Sequence, residues 1–314
     1  MVDPALKAMA KGEITAGLEY EVFSNLRVGL VGTHNWLFNA VEDMSNDDGA
    51  TSFIGNPGSG MGAGFPAAER KYFAGTLYAS RAFSKGWLAQ GSYTLSSLYG
   101  NYSGLLRPET GQLAPGLSGD FDLKSLQTNT TGPLPGDRTH QFKAYVAKDF
   151  EVSSDVTLLA GVTYEGLSGT PISFLAWHPT AGDDAAFVLP RGSAGRTPFT
   201  HTVSLRGGLT WKVSKEQSIQ VTLDLFNLLN LQEATSVSQQ LSNAQLVPAN
   251  IADGKDPATA ACLAGNSPTC QSILQKKVGA ATVPVSTNDL NANFKQPTAY
   301  QAPFSMKLGV RLFF

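Results

Sequence analysis

Charge is what this chain has least of. Only 15% of its 314 residues are Asp, Glu, Lys or Arg, against about 25% in a typical soluble domain. The net charge is −2, and no basic stripe stands out, which argues against nucleic acid as a partner. No run of about 20 apolar residues occurs, so no segment can cross a membrane as a helix. Cysteine is nearly absent: Cys262 and Cys270 are the only two, both in the loop-like stretch CLAGNSPTC. A metal site usually offers closer pairs and more ligands. The pair therefore reads as a local disulfide from an oxidising compartment, with two unrelated thiols as the alternative. The four histidines, His34, His140, His178 and His201, include no metal-spaced pair. No catalytic constellation, metal centre or cofactor site is expected, and the chain does not read as an enzyme.

Other absences are local. The Gly-rich segment GNPGSGMGAG (55–64) lacks the Lys-Ser/Thr ending of a phosphate-binding loop and reads as a flexible external loop. Asp183, Asp184 and the acidic stretch 42–48 read as solvated carboxylates rather than a calcium site. The opening MVDPALKAMAKGE has no cationic start, apolar core or small-residue cleavage site, so it is not a secretory signal.

What the chain does have is alternation. From Tyr300 it reads YQAPFSMKLGVRLFF and stops. Tyr300, Ala302, Phe304, Met306, Leu308, Val310, Leu312 and Phe314 share one face, against Gln301, Ser305, Lys307, Gly309 and Arg311 on the other. A strand turns successive side chains to opposite faces, so this is a ribbon with one apolar and one polar, cationic side. Soluble proteins rarely end on two bare Phe residues, whereas an aromatic terminus suits a membrane interface.

The same period recurs upstream in hairpins: 13–22 with 26–36, 71–83 with 87–98, 138–150 with 155–165, and 199–212 with 217–226. The strand 71–83 is ambiguous, since Tyr72 and Tyr78 oppose Phe73 and Leu77. Short turns inside hairpins alternate with long connections at about 39–69, 100–136, 166–197 and 228–298, and the closing strand spans 300–314. Transmembrane barrels have this alternation of short periplasmic turns and long external loops. Trp36, Trp87, Phe150, Trp211, Phe313 and Phe314 gather near strand ends, where interfacial rings sit. The fold class is therefore all-β, an antiparallel transmembrane β-barrel wall, with 1–12 as a tail or the remnant of a preceding strand or loop. The polar-face charges Lys143, Arg206, Lys212, Asp224, Lys307 and Arg311 are expected to face the lumen. The count is about nine strands, an odd number for a bacterial barrel. Open sheet edges in lipid are costly. With the missing signal, this points to the C-terminal part of a larger barrel.

Several stretches resemble one family. QSIQVTLDLFNLLN (217–230) resembles the penultimate strand of TonB-dependent receptors, and NANFKQPTAYQAPFSMKLGVRLFF (291–314) their last loop and closing strand. GDRTHQFKAYVAKDF (136–150) resembles a strand opening of that family. WLAQGSYTLSSLYGNYSG (87–104) and LPRGSAGRTPFTHTVSL (189–205) resemble the Oar-like branch, which carries a carboxypeptidase-regulatory-like domain before the barrel. Phe304 and the sequence Asn293-Phe294-Lys295 depart from the usual pattern at the rim. The resemblance implies a plugged barrel of about 22 strands, of which roughly thirteen lie outside this chain. It also implies that Phe314, Leu312, Val310 and Leu308 form the signal read by the barrel-assembly machinery. The expected function is ligand uptake across the outer membrane in the intact protein. Coupling to the TonB energy-transducing complex would run through an N-terminal plug, and this segment alone would be inactive. Outer-membrane lipid is the other expected partner. The rivals are a self-contained or oligomeric small outer-membrane barrel with a structural or adhesive role, possible if a strand hides in 230–250, and a soluble β-sandwich binding module.

Overall fold

The computed structural model describes residues 1–314 except 48, 105, 108, 110–111, 114–118, 179–181, 248–273 and 279–280. Cys262 and Cys270 lie outside the described residues.

Nine long strands form one antiparallel wall in chain order: β1 (Ala10–Phe23), β2 (Leu26–Phe38), β3 (Arg70–Ser84), β4 (Trp87–Gly100), β5 (His140–Glu151), β6 (Val156–Leu167), β7 (Thr200–Lys212), β8 (Ser218–Phe226) and β9 (Ser305–Phe313). Each pairs with the next, and Gly132–Pro133 adds a short tenth member at the outer end of β4. No pairing joins β1 to β9 among the described residues, so the wall is an open arc. Among the described residues, no helix is long and apolar enough to cross a membrane.

Turn chemistry sets the hairpins. Between β3 and β4, Lys85 and Gly86 have φ of 51° and 76°. Two successive positive φ values make a type I′ turn, whose twist matches the strands it joins. Register then sorts the side chains. Phe73 and Leu77 pair laterally with His34 and Leu30 on β2, and Leu77 pairs with Tyr93 on β4. This resolves the ambiguous strand: Phe73 and Leu77 share the apolar face, and Tyr78 turns to the polar one. There Tyr78 lies across Gly29 of β2, where a Cβ would collide with its ring, and donates to Glu19 Oε2 of β1 at 2.7 Å.

The closing segment is shorter than its alternation suggests. Pro297–Tyr300 leaves the wall and pairs with Ala234–Val237, and β9 begins only at Ser305. Pro303 has no N–H for a ladder, and side chains take over the backbone there. Asn227 Nδ2 donates to the Ala302 carbonyl at 2.8 Å, and Phe304 N donates to Asn230 Oδ1 at 2.9 Å. The stretch 230–250 does contain strands, but Gln240–Val247 pairs with Leu175–His178, in parallel, and not with the wall.

The packed core lies in the connections. One cluster joins Ile172, Phe174, Val188 and Leu189 to Leu241, Leu246, Leu274 and Val285. Another joins Met44, Phe53 and Phe65 to Tyr102 and Phe121. Burying each such side chain is worth about 1.5–3 kcal/mol. The wall strands instead leave Leu18, Leu77, Met306, Leu308 and Val310 exposed.

The connections are therefore folded, and two sequence expectations change. Residues 55–64 are not a flexible loop. Gly60–Gly64 is a 3₁₀ turn, Asn56 is buried, and its Nδ2 donates to the Lys7, Asn39 and Ala40 carbonyls. Asp3 fastens the same turn by accepting from Met61 N at 2.7 Å. Within 42–48, Glu42 is not solvated: it is 0% exposed and meets Tyr102. Burial first, and then Glu42, push the Tyr102 hydroxyl up to about 12.

In the last connection, Asp289 accepts from Lys276 Nζ at 2.5 Å and from Ser286 N and Oγ at 2.7 Å each. Lys276, then Ser286, pull its carboxyl from 3.8 to about 2. A depressed carboxylate contributes stability that is present above its unfolded value and lost as pH falls through its folded value. Amide-exchange protection of 274–290 should therefore hold at pH 5 and drop on acidification from about 4 toward 2. Asp289→Asn should remove that step; a step that persists in Asp289→Asn would assign it elsewhere.

Candidate functional site

Three features carry the chemistry: an apolar face, a polar face and a folded cap of connections at the outer end.

The apolar face runs across all nine strands, with the cations Lys71, Arg81 and Lys148 on it toward its ends. Lateral rows run Val162, Leu205, Leu225, Met306 and Leu158, Leu209, Val221, Val310. Rings bound it at both ends. At the outer end His34 stacks on Phe73 with centroids 4.0 Å apart and on Trp36 at 4.8 Å. Farther along, Tyr93 Oη lies 2.9 Å from His140 Nδ1, and Tyr164 Oη 2.9 Å from His201 Nδ1. Phe142 and Phe199 join these two pairs into one band. At the inner end the Arg81 guanidinium sits 3.6 Å over the Trp87 ring, and Phe150 and Trp211 stand at the same short-turn end of β5 and β7. From His201 to Trp211 is about 33 Å at 3.3 Å per residue. A tilt of about 40° reduces this to roughly 25 Å, the height of an outer-membrane apolar band.

The polar face carries all six charges singled out from the sequence. Arg206 donates bidentately to Asp224, Nε–Oδ1 at 2.5 Å and Nη2–Oδ2 at 3.0 Å. Lys307 is the residue opposite Asp224 on β9. Lys143 Nζ lies 3.6 Å from Glu165. Arg311 stands opposite Gln220, and Lys212 opposite Ser218. Gln90, Ser92, Lys143, Tyr145, Thr163, Glu165, Thr202 and Ser204 line a hydroxyl-rich trough on this face. Phe314 is 98% exposed at the short-turn end, and Leu312, Val310 and Leu308 lead to it along the apolar face.

The cap holds what sequence reasoning missed. Arg107, Glu109 and Asp120 come from the connection after β4, and Arg191 from the connection after β6. Arg191 is 1% exposed. Its Nη2 lies 3.1 Å from Asp120 Oδ1, and its Nε 3.3 Å from Glu109 Oε1. Arg107 Nε lies 3.4 Å from Asp120 Oδ1, and Arg107 Nη2 donates to the Ala185 carbonyl at 2.7 Å. Both guanidiniums lie over the Phe187 ring, at 4.4 Å for Arg191 and 5.3 Å for Arg107. Ser103 Oγ donates to Asp120. Burial works to raise the Asp120 carboxyl, but Arg191 and Arg107 outweigh it and hold it below its usual value. Burial wins at Glu109 and pushes that carboxyl up against the pull of the same two cations. Asp120 and Arg191 are 71 residues apart, and no periodicity links them. The available signal was an Arg set in the apolar run AAFVLPR. Among the described residues, no three His, Cys, Asp or Glu side chains converge as a metal site.

A continuous antiparallel sheet with one ring-bounded apolar face, one polar face, short turns at one end and folded connections at the other is the wall of a transmembrane β-barrel. No protein-family profile matches the chain. It is 45% identical, over all 314 residues, to the TonB-dependent transporter Oar of Myxococcus xanthus, and it spans 29% of that protein's length. The resemblance to the barrel portion of the Oar-like TonB-dependent receptors is thus borne out. Among solved structures, the ferric-catecholate import receptor Fiu of E. coli is similar over 74% of this chain and 26% of its own, with 14% identity and a TM-score of 0.42. The copper transporter OprC is similar over 98% of this chain and 32% of its own, with 11% identity and a TM-score of 0.42.

Proposed function

We propose that this chain is the C-terminal wall of a TonB-dependent outer-membrane transporter. In the intact protein, a ligand is taken up at the folded external cap and passed along the polar face, with energy supplied through the TonB complex. The observation that carries the reading is the 45% identity to Oar over the whole chain, joined to an apolar face that runs across the sheet. In this reading the apolar face meets lipid, and Lys143, Arg206, Lys212, Asp224, Lys307 and Arg311 face the lumen. The open edges at β1 and β9 pair with further wall, because unpaired backbone groups in lipid cost several kcal/mol each. The chain alone does not transport.

The test is a chimera in which this chain replaces the matching portion of the Myxococcus transporter. The chimera should reach the outer membrane and keep the transporter's activity, while the isolated chain shows none. A chain that by itself forms a closed, stable outer-membrane barrel would favour the self-contained alternative. A chimera that inserts but is inactive would reject the transport role.

The terminal residue gives a second test. In the proposed assembly role, Phe314 with Leu312, Val310 and Leu308 forms the signal read by the assembly machinery. Deleting Phe314 from the chimera should lower its folded outer-membrane level several-fold, whereas Arg311→Ala should leave it unchanged. Equal levels after deletion would reject the signal.

A further inference from the structure

The two external connections after β4 and β6 meet through buried charge, and the meeting is unequal. Asp120 receives both guanidiniums and the Ser103 hydroxyl. Among the described residues, Glu109, also buried, has one ion contact, with Arg191 at 3.3 Å, and its oxygens accept no hydrogen bond from another residue. Arg191 Nη1 is likewise buried without a hydrogen-bond partner. The charged groups facing Glu109 are Arg107 and Asp120 from its own connection and Arg191 from the other. Beyond them lie Tyr102 with Glu42, and Arg70, which donates to the Tyr102 carbonyl at 3.2 Å.

We propose that Glu109 and Arg191 form a proton-linked latch: closing the two connections on each other takes up a proton at Glu109, and losing that proton loosens them. A buried carboxylate with one off-axis ion contact, a second cation farther off in Arg107 and only its own backbone N–H beside it is poorly compensated, whereas the neutral acid has little to lose there. The direction of the Glu109 shift agrees. The signs follow from linkage. The raised Glu109 contributes stability that is full below its unfolded value and lost as pH rises through its folded value. The lowered Asp120 contributes stability lost only on strong acidification, so its grip on the arginines persists throughout the range in which Glu109 titrates. The latch stands apart from the transport reading, since its readout is loop protection and not uptake.

The experiment is amide exchange of the chimera with the Myxococcus transporter in lipid vesicles, read at 119–135 and 182–197 against the β5–β8 strands, from about pH 5 to 8. Protection of the two connections should fall several-fold as pH rises while the strands hold constant. Glu109→Gln, which mimics the protonated acid, should stay protected and flat. Constant protection in the unmodified chimera, or an unchanged pH step in its Glu109→Gln variant, would overturn the latch. Should Glu109→Gln fail to fold, isotope-edited infrared spectra of the unmodified chimera decide the matter. A protonated Glu carboxyl must persist above the pH at which exposed glutamates ionise, and its absence overturns the proposal.

Discussion

Arg191→Met should open the external cap without unfolding the wall. The substitution keeps most of the side-chain volume but leaves Asp120 and Glu109, both buried, with Arg107 as their nearest cation. Breaking a buried ion pair by removing one partner costs about 3–5 kcal/mol, because the other charge stays behind uncompensated. Proteolysis within 101–139 and 168–199 should then accelerate by two orders of magnitude or more, on the order of 10²–10³-fold for that cost. The wall should be unaffected, since its ladder contains none of these groups. Arg191→Met combined with Asp120→Leu and Glu109→Gln should regain much of the loss, because replacing a whole buried cluster by apolar or neutral groups is far less costly than halving it. Cleavage as slow in the single variant as in the unmodified chain would mean that the apolar clusters alone hold the cap.

Leu308→Arg should prevent stable insertion, whereas Thr222→Lys on the next strand should be tolerated. Leu308 pairs with Leu223 midway between the two ring bands, on the apolar face, and Thr222 pairs with Gly309 on the polar face. An Arg on the lipid face of an outer-membrane barrel costs about 2–4 kcal/mol at the midplane and much less near the interfaces. The polar face already carries Lys307 and Arg311 on either side of Gly309, so one more cation there should change stability by about 0.5 kcal/mol or less. Urea titration of the chimera in vesicles, with unfolding followed by tryptophan emission, separates the two variants. The reverse ranking would assign lipid to the opposite face.

Strand order, turn ends and the two-faced wall were legible because a strand's period is two and each hairpin is local in sequence. Leu209 and Trp211 announce their face by alternating with Thr210 and Lys212, without reference to any other strand. The Arg206–Asp224 pair was legible in part: both fell on polar faces of adjacent strands, and register then brought them to 2.5 Å. The connections were not legible. Their Gly, Asn and Pro content marks them as irregular, and irregular segments were expected to be solvated. They fold because segments far apart supply apolar groups to common clusters, as Phe174 and Val188 do with Leu246 and Leu274.

The alternation of this chain by itself determined an all-β wall, its strand order and which residues share a face, because each depends only on neighbours one or two residues away. Only the tertiary structure decided that Glu109, Asp120 and Arg191 are buried together, that Glu42 is buried against Tyr102, that residues 55–64 are packed, and that the closing strand starts after Pro303. Those outcomes depend on which distant segments meet, and burial of a charge is stable only once its partner from another connection has arrived.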